Sequence, residues 1–205
     1  MQDSDTRASQ HSTPVAAEYR FGGPTSLPVT LADGRALRFR GAIDRVDRID
    51  GGGVVVIDVK SGRPDRFRPI GAEAPFPGGT RLQLPIYGLA AAALGHGPTS
   101  HAAFAFVGAE RSGDHRIGYH LTSEVLDEFA TVLERIVTGI EAGAFPNHPP
   151  EPTRFGGFTC PHCSPDGLDT RRLQAACDRK ASDAAMDLHL RHVTEPVDDE
   201  TEESR

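Results

Sequence analysis

The sequence predicts an α/β fold, an α+β sandwich around a mixed β-sheet, on three observations. Segments of strand character lead into a helix, and that succession then repeats. The triple glycine Gly51–Gly53 runs into the apolar stretch Val54–Ile57, the pattern of a turn feeding a buried strand. Finally, Val125, Leu126, Phe129, Val132, Leu133, Ile136, Val137 and Ile140 recur at intervals of three and four, which places one apolar stripe along a helix.

Each element follows from its local chemistry. Ala16–Phe21 and Leu27–Leu31 read as short strands. Asp33-Gly34 is a hairpin signal leading into a longer strand over Ala36–Arg48, and the three glycines then turn the chain into Val54–Lys60. Residues 61–79 carry four prolines and four glycines and read as a loop. A helix over Arg81–Leu94 tolerates Pro85 because proline near the first turn removes an N–H that has no helical acceptor. His101–Val107 and Arg116–Leu121 form a further strand pair. Ser123–Ala142 is the periodic helix, with Thr122 or Ser123 as N-cap and Gly143 as its stop. A Pro/Gly-rich stretch over Phe145–Thr159 precedes the pair Cys160/Cys163, and a last helix starts at Thr170. The organisation is thus a polar tail (1–13), a core (14–148), a C-terminal segment bearing C-x2-C (149–192) and an acidic tail (193–205), the two tails disordered.

A chain of 205 residues with 38% hydrophobic and 25% charged residues suits one sizeable core. The first ten residues are polar and lack the apolar stretch of a secretory signal, and the mostly apolar run Leu82–Leu94 is too short to span a bilayer, so the reading is cytoplasmic with no membrane partner. Three cysteines without a secretory signal argue against a disulfide framework. The net charge of −7 comes mostly from Glu195–Arg205, which carries six acids against one arginine. It therefore weighs little against a nucleic-acid partner.

The chemistry concentrates in GAIDRVDRIDGGGVVVIDVKSG. Asp58 and Lys60 share one face of their strand while Val59 points away. A hairpin centred on Gly51 would set Asp44 directly across from Asp58, with Cβ atoms roughly 4.5–5.5 Å apart. A one-residue shift would bring Val59 there instead. Opposed carboxylates repel unless a proton or cation lies between them. Mg²⁺ is commonly held by one or two carboxylates plus waters and phosphate oxygens, and Lys60 alongside would orient water or stabilise charge building on a phosphate. The competing reading is a surface ion pair at a strand end. Gln83 and Tyr87, four apart, share a helix face. They suit contact with a substrate phosphate or hydrogen bonds to the acids and Lys60, or they are simply one exposed and one half-buried side chain.

GAID, then DVKSG, then RLQLPIYGLA closely resembles the PD-(D/E)XK nucleases of the RecB/AddB type, over about Val15 to Pro196. The resemblance implies a restriction-endonuclease-like core and a Mg²⁺- or Mn²⁺-dependent deoxyribonuclease, exonuclease-like, of DNA recombination and repair. It further implies DNA ends or single strands as substrate and a helicase subunit as partner. Residue by residue, it makes Asp44 and Asp58 the metal-binding acids, the Val59 carbonyl a further metal ligand, Lys60 the catalytic lysine, and Gln83 and Tyr87 the Q-x-x-x-Y pair.

Two departures mark the match. AddB-type nucleases hold a 4Fe–4S cluster with one upstream cysteine and three downstream. This chain offers Cys160 and Cys163, then Asp169 at the third position and Cys177 eight residues further on, with no cysteine before Cys160. A cluster through Cys160 and Cys163, a zinc ion held with His148 or His162 and Cys177, and a metal-free loop all remain open, with ligand count against the cluster. The family also carries an upstream helix whose histidine helps hold the metal, whereas only His11 precedes Glu18 here. This is expected either of a piece of a longer helicase–nuclease or of a small stand-alone relative. Besides the nuclease, the departures allow an impaired nuclease-fold module that holds DNA or a helicase, and the C-x2-C alone would fit a small zinc-binding interaction domain.

Overall fold

The computed structural model describes residues 12–23, 27–50, 52–108, 116–145, 170–184 and 186. The chain forms β1 (Ser12–Phe21), β2 (Leu27–Thr30), β3 (Ala36–Phe39), β4 (Gly41–Ile49), β5 (Val54–Lys60), α1 (Gln83–Ala92), β6 (Thr99–Phe106), β7 (Arg116–His120), α2 (Ser123–Glu141) and α3 (Thr170–Lys180). It divides into two compact units, residues 1–133 and 134–205, with the division falling within α2. The first holds all seven strands and α1.

Five strands form one mixed sheet in the order β1-β4-β5-β6-β7. β5 and β6 are parallel and the other neighbours antiparallel. The parallel pair needs a crossover, and α1 supplies it between β5 and β6. Thr99 at the start of β6 fastens this helix by donating its Oγ1 hydroxyl to the Gly88 carbonyl at 2.7 Å. Val46, Val54, Val56, Leu84, Phe104, Tyr119 and Phe129 make up much of the buried core. The Pro/Gly-rich segment after β5 is more than a loop. Two 3-10 turns, Pro64–Phe67 and Pro77–Gly79, punctuate it. Phe67 packs edge-on to Phe104 and Phe106 at 4.9 and 5.0 Å, and Phe76 reaches Tyr119 and Phe129 at 6.0 and 5.8 Å. Full burial of a side chain such as Phe76 contributes roughly 1.5–3 kcal/mol, so the segment is anchored despite its composition. At α2, Thr122 is the cap, its hydroxyl accepting from the Val125 N–H at 3.4 Å.

The expected single strand over Ala36–Arg48 is two strands. β3 pairs only with β2, in a separate two-stranded sheet, while β4 pairs with β1 and β5. The change of sheet falls at Arg40, where β1 ends against the chain. Gly22, at φ 87°, lies so close that a Cβ there would stand 2.3 Å from the Arg40 Cα. Only glycine combines that backbone conformation with that approach. Likewise β1 begins at Ser12, inside the segment read as a polar tail.

Candidate active site

β4 and β5 pair as Arg45↔Ile57, Val46↔Val56, Asp47↔Val55 and Arg48↔Val54. This is the register of a turn centred on residue 51, and its next step would set Asp44 across from Asp58. The ladder stops there. Val59 donates its backbone N–H to Asp44 Oδ2 at 2.7 Å, so the Asp44 carboxylate bridges the two strands where their backbone pairing ends. The site opens at this splay.

Asp58 is only 4% exposed. Lys60 Nζ stands 2.5 Å from its Oδ2 in a tight ion pair, and among the described residues no second group donates to that buried oxygen. Burial pushes the Asp58 carboxyl above its ordinary range. The Lys60 ammonium opposes the shift and the negative Asp44 adds to it. A carboxylate so placed keeps acceptor sites for a further cation or donor.

Gln83 and Tyr87 complete the cluster from α1. Lys60 Nζ donates to Gln83 Oε1 at 3.4 Å, and Gln83 Nε2 donates to the Tyr87 hydroxyl at 3.5 Å. Both bonds are long, but with the Lys60–Asp58 ion pair they link four side chains, Asp58, Lys60, Gln83 and Tyr87, in one row. Burial raises the Tyr87 phenol above its ordinary value, with the charges of Asp58 and Asp44 acting the same way and the Gln83 bond opposing them. Lys60 also lies 5.3 Å from the centre of the Phe104 ring, which limits its swing.

Three nearby residues escaped sequence reasoning. Arg81 has a left-handed backbone, φ 61°, and its guanidinium lies 4.2 Å over the Phe67 ring, just ahead of Gln83. Glu18 is also left-handed, φ 48°. Ala17 faces Arg45 and Tyr19 faces Ile43 across the β1–β4 ladder, so Glu18 falls beside the Asp44 position. Such non-glycine conformations cost on the order of 1–3 kcal/mol and gather at functional sites. No tripeptide signal announces either one. The third is Asp47, 2% exposed on the opposite face from Asp44, whose oxygens take Arg45 Nε at 2.6 Å and Nη2 at 2.7 Å and the Ser12 hydroxyl at 3.2 Å. DRVD held this signal, an acid and a base two apart on a strand.

Among the described residues no three His, Cys, Asp or Glu side chains come together as a metal cage. The donor set nonetheless suits a hard divalent ion of the Mg²⁺ class, which needs only one or two protein carboxylates when waters and a phosphate complete its shell. Asp44, Asp58 and the Val59 carbonyl would hold it, and Asp58, ion-paired with Lys60 at one oxygen, has acceptor sites to spare. Cys160, Cys163, Asp169, His148 and His162 lie outside the described residues, and Cys177 lies half-buried on α3.

Two acids and a lysine at the mouth of one hairpin of a mixed sheet are an arrangement suited to metal-assisted hydrolysis of a phosphodiester. The profile of the PD-(D/E)XK nuclease superfamily matches residues 2–166, and the chain belongs to that superfamily. Nucleases of this superfamily typically use Mg²⁺ or Mn²⁺. No curated protein sequence matches the chain. Among the described residues, no helix is long and apolar enough to cross a membrane.

Proposed function

We propose that the protein is a Mg²⁺- or Mn²⁺-dependent deoxyribonuclease of the RecB/AddB type, acting on DNA ends or single strands in recombination and repair. The observation that carries the reading is Asp58, buried and ion-paired with Lys60, next to the point where the Asp44 carboxylate bridges the two strands. Superfamily membership and the order GAID, DVKSG, QLPIY support it.

Asp44, Asp58 and the Val59 carbonyl hold the ion. Once bound, it offsets phosphate charge and lowers the pKa of water. Lys60, kept near by Asp58, Gln83 and the Phe104 ring, lies beside the phosphate, where it stabilises charge gathering in the transition state. Gln83 positions Lys60, and the Tyr87 hydroxyl, held protonated by its surroundings, donates towards the acids or the substrate. Cytoplasmic location and a helicase partner belong to the same proposal through the RecB/AddB likeness.

Incubation of single-stranded and duplex DNA with Mn²⁺ tests the reading. Metal-dependent cutting by the wild type and none by Asp58→Asn is the expected result, and equal cutting by both proteins would overturn it. One second reading, an impaired module that holds DNA, rests on the departures from the RecB/AddB pattern, with only His11 ahead of Glu18 and Asp169 at the third cysteine position. DNA binding without cleavage under every metal condition would select it.

A further inference from the structure

A cavity of about 1030 Å³ opens beside this site, walled by the end of β1, the start of β4 and the later part of α1, with Tyr19, Arg20, Phe21, Arg40, Gly41 and Ala42 on its surface. We propose that this cavity receives an unpaired nucleotide of the strand being cut, its base against Phe21 and Tyr19 and its phosphate against Arg20 and Arg40. The inference rests on the nuclease reading and adds where the strand lies and why it is single.

The cavity reaches the upper end of pockets that take small organic ligands, roughly 300–1,000 Å³, so a nucleotide enters with room. Its charge is selective. Arg20 and Arg40 are both exposed, and neither pairs with a carboxylate among the described residues, in a chain whose net charge is −7. Two uncompensated guanidiniums beside two aromatic rings match an anionic, ring-bearing ligand. The cavity also borders the Tyr87 end of the cluster. The Phe21 ring meets the Tyr87 ring edge-on at 5.9 Å. That contact depends on Gly41, where a Cβ would stand 3.0 Å from the Phe21 ring and 3.6 Å from Tyr87. Ala42 at the cavity rim lies two residues before Asp44 on β4, roughly 6.6 Å along the strand. A stacked strand advances about 3.4 Å per nucleotide, which puts the cavity one or two nucleotides from the cut. A paired base could reach it only by leaving its stack, and this costs least when the strand is already single.

Fluorescence anisotropy without divalent metal tests the proposal, using a labelled oligothymidylate and an abasic oligomer of equal length. Wild type should bind the oligothymidylate about 10-fold more tightly, since stacking of one base on an aromatic ring carries roughly a 5- to 150-fold effect. Phe21→Leu should erase that preference. The double variant Arg20→Gln/Arg40→Gln should weaken both ligands alike and flatten their salt dependence, which keeps the test intact should Phe21→Leu fold poorly. Equal wild-type affinity for the two oligomers, or variants that bind as wild type does, would overturn the cavity. Cleavage of the oligothymidylate with Mn²⁺ separates the two readings. A wild type that cuts without preferring bases removes the cavity and leaves the nuclease standing. One that prefers bases yet cuts nothing keeps the cavity and removes the nuclease.

Discussion

The β4–β5 hairpin carries two acid–base pairs of the same sequence spacing, Arg45/Asp47 and Asp58/Lys60, and they have opposite characters. Asp47 is 2% exposed, and its two oxygens receive a forked guanidinium and a hydroxyl. Asp58 is 4% exposed, meets the point charge of one lysine, and faces a second acid. Arginine presents a planar fork that fills a carboxylate, whereas lysine leaves lone pairs to spare. The first pair is completed within the protein, and on the proposed reading the second keeps a place for a cation. Burial alone therefore does not separate a structural acid from a reactive one. Completeness of its hydrogen bonding does.

The largest expected effect of breaking this contrast is on rate. Lys60→Ala should lower DNA cleavage on the order of 10²–10³-fold while metal and DNA binding change little, because the lysine acts on charge present only in the transition state. Single-turnover kinetics beside anisotropy with the same oligomer would show it. Wild-type rates in Lys60→Ala would place Asp58/Lys60 in the same structural class as Arg45/Asp47.

Next comes stability. Arg45→Ala leaves Asp47 buried with the Ser12 hydroxyl alone. Loss of one partner from a buried pair costs about 3–5 kcal/mol, and the lower end applies because the Arg45 side chain is 45% exposed and water reaches it. A fall in Tm of roughly 6–12 °C follows for a chain of this size. Thermal unfolding followed by circular dichroism checks it, and an unchanged Tm would remove the structural role of the pair.

The sequence makes much of this hairpin readable, though not evenly. Three glycines confine the turn, and an apolar run of known length then fixes which residues oppose each other, so the register from Arg45↔Ile57 to Arg48↔Val54 follows from counting, one step short of Asp44 and Asp58. Gln83 and Tyr87 follow from helical spacing. The break at Arg40 did not, since residues on both sides of it alternate as one strand would. The deciding fact is a close approach by Gly22, distant in sequence. The left-handed Glu18 and Arg81 are equally silent, because tertiary packing rather than local preference holds them there. The aromatic anchors of the Pro/Gly-rich segment were hidden by its composition, which signals turns and says nothing of the side chains between them.

The smallest expected effects concern Asp58 itself, and their signs distinguish a carboxylate kept for a cation from one kept for the fold. With its folded-state pKa raised above the ordinary 3.8, Asp58 binds its proton more tightly in the folded chain than in the unfolded one. The folded state then holds more protons just above the ordinary value, so stability falls as pH rises through the interval between the two pKa values, and ionised Asp58 remains a net cost beyond it. Asp58→Asn cannot ionise. Without metal it should therefore melt above the wild type near neutral pH, with the advantage closing as pH falls below the ordinary carboxylate range. Divalent metal should reverse the order. At a free concentration about 100 times its Kd, a bound ion stabilises the wild type by about 2.7 kcal/mol, and the variant should gain far less. Melting curves of both proteins with EDTA and with Mn²⁺, at neutral and acid pH, contain the whole argument. A variant less stable than wild type in EDTA at neutral pH would show that Asp58, like Asp47, is satisfied by the protein alone, and equal stabilisation of both proteins by Mn²⁺ would place the ion elsewhere.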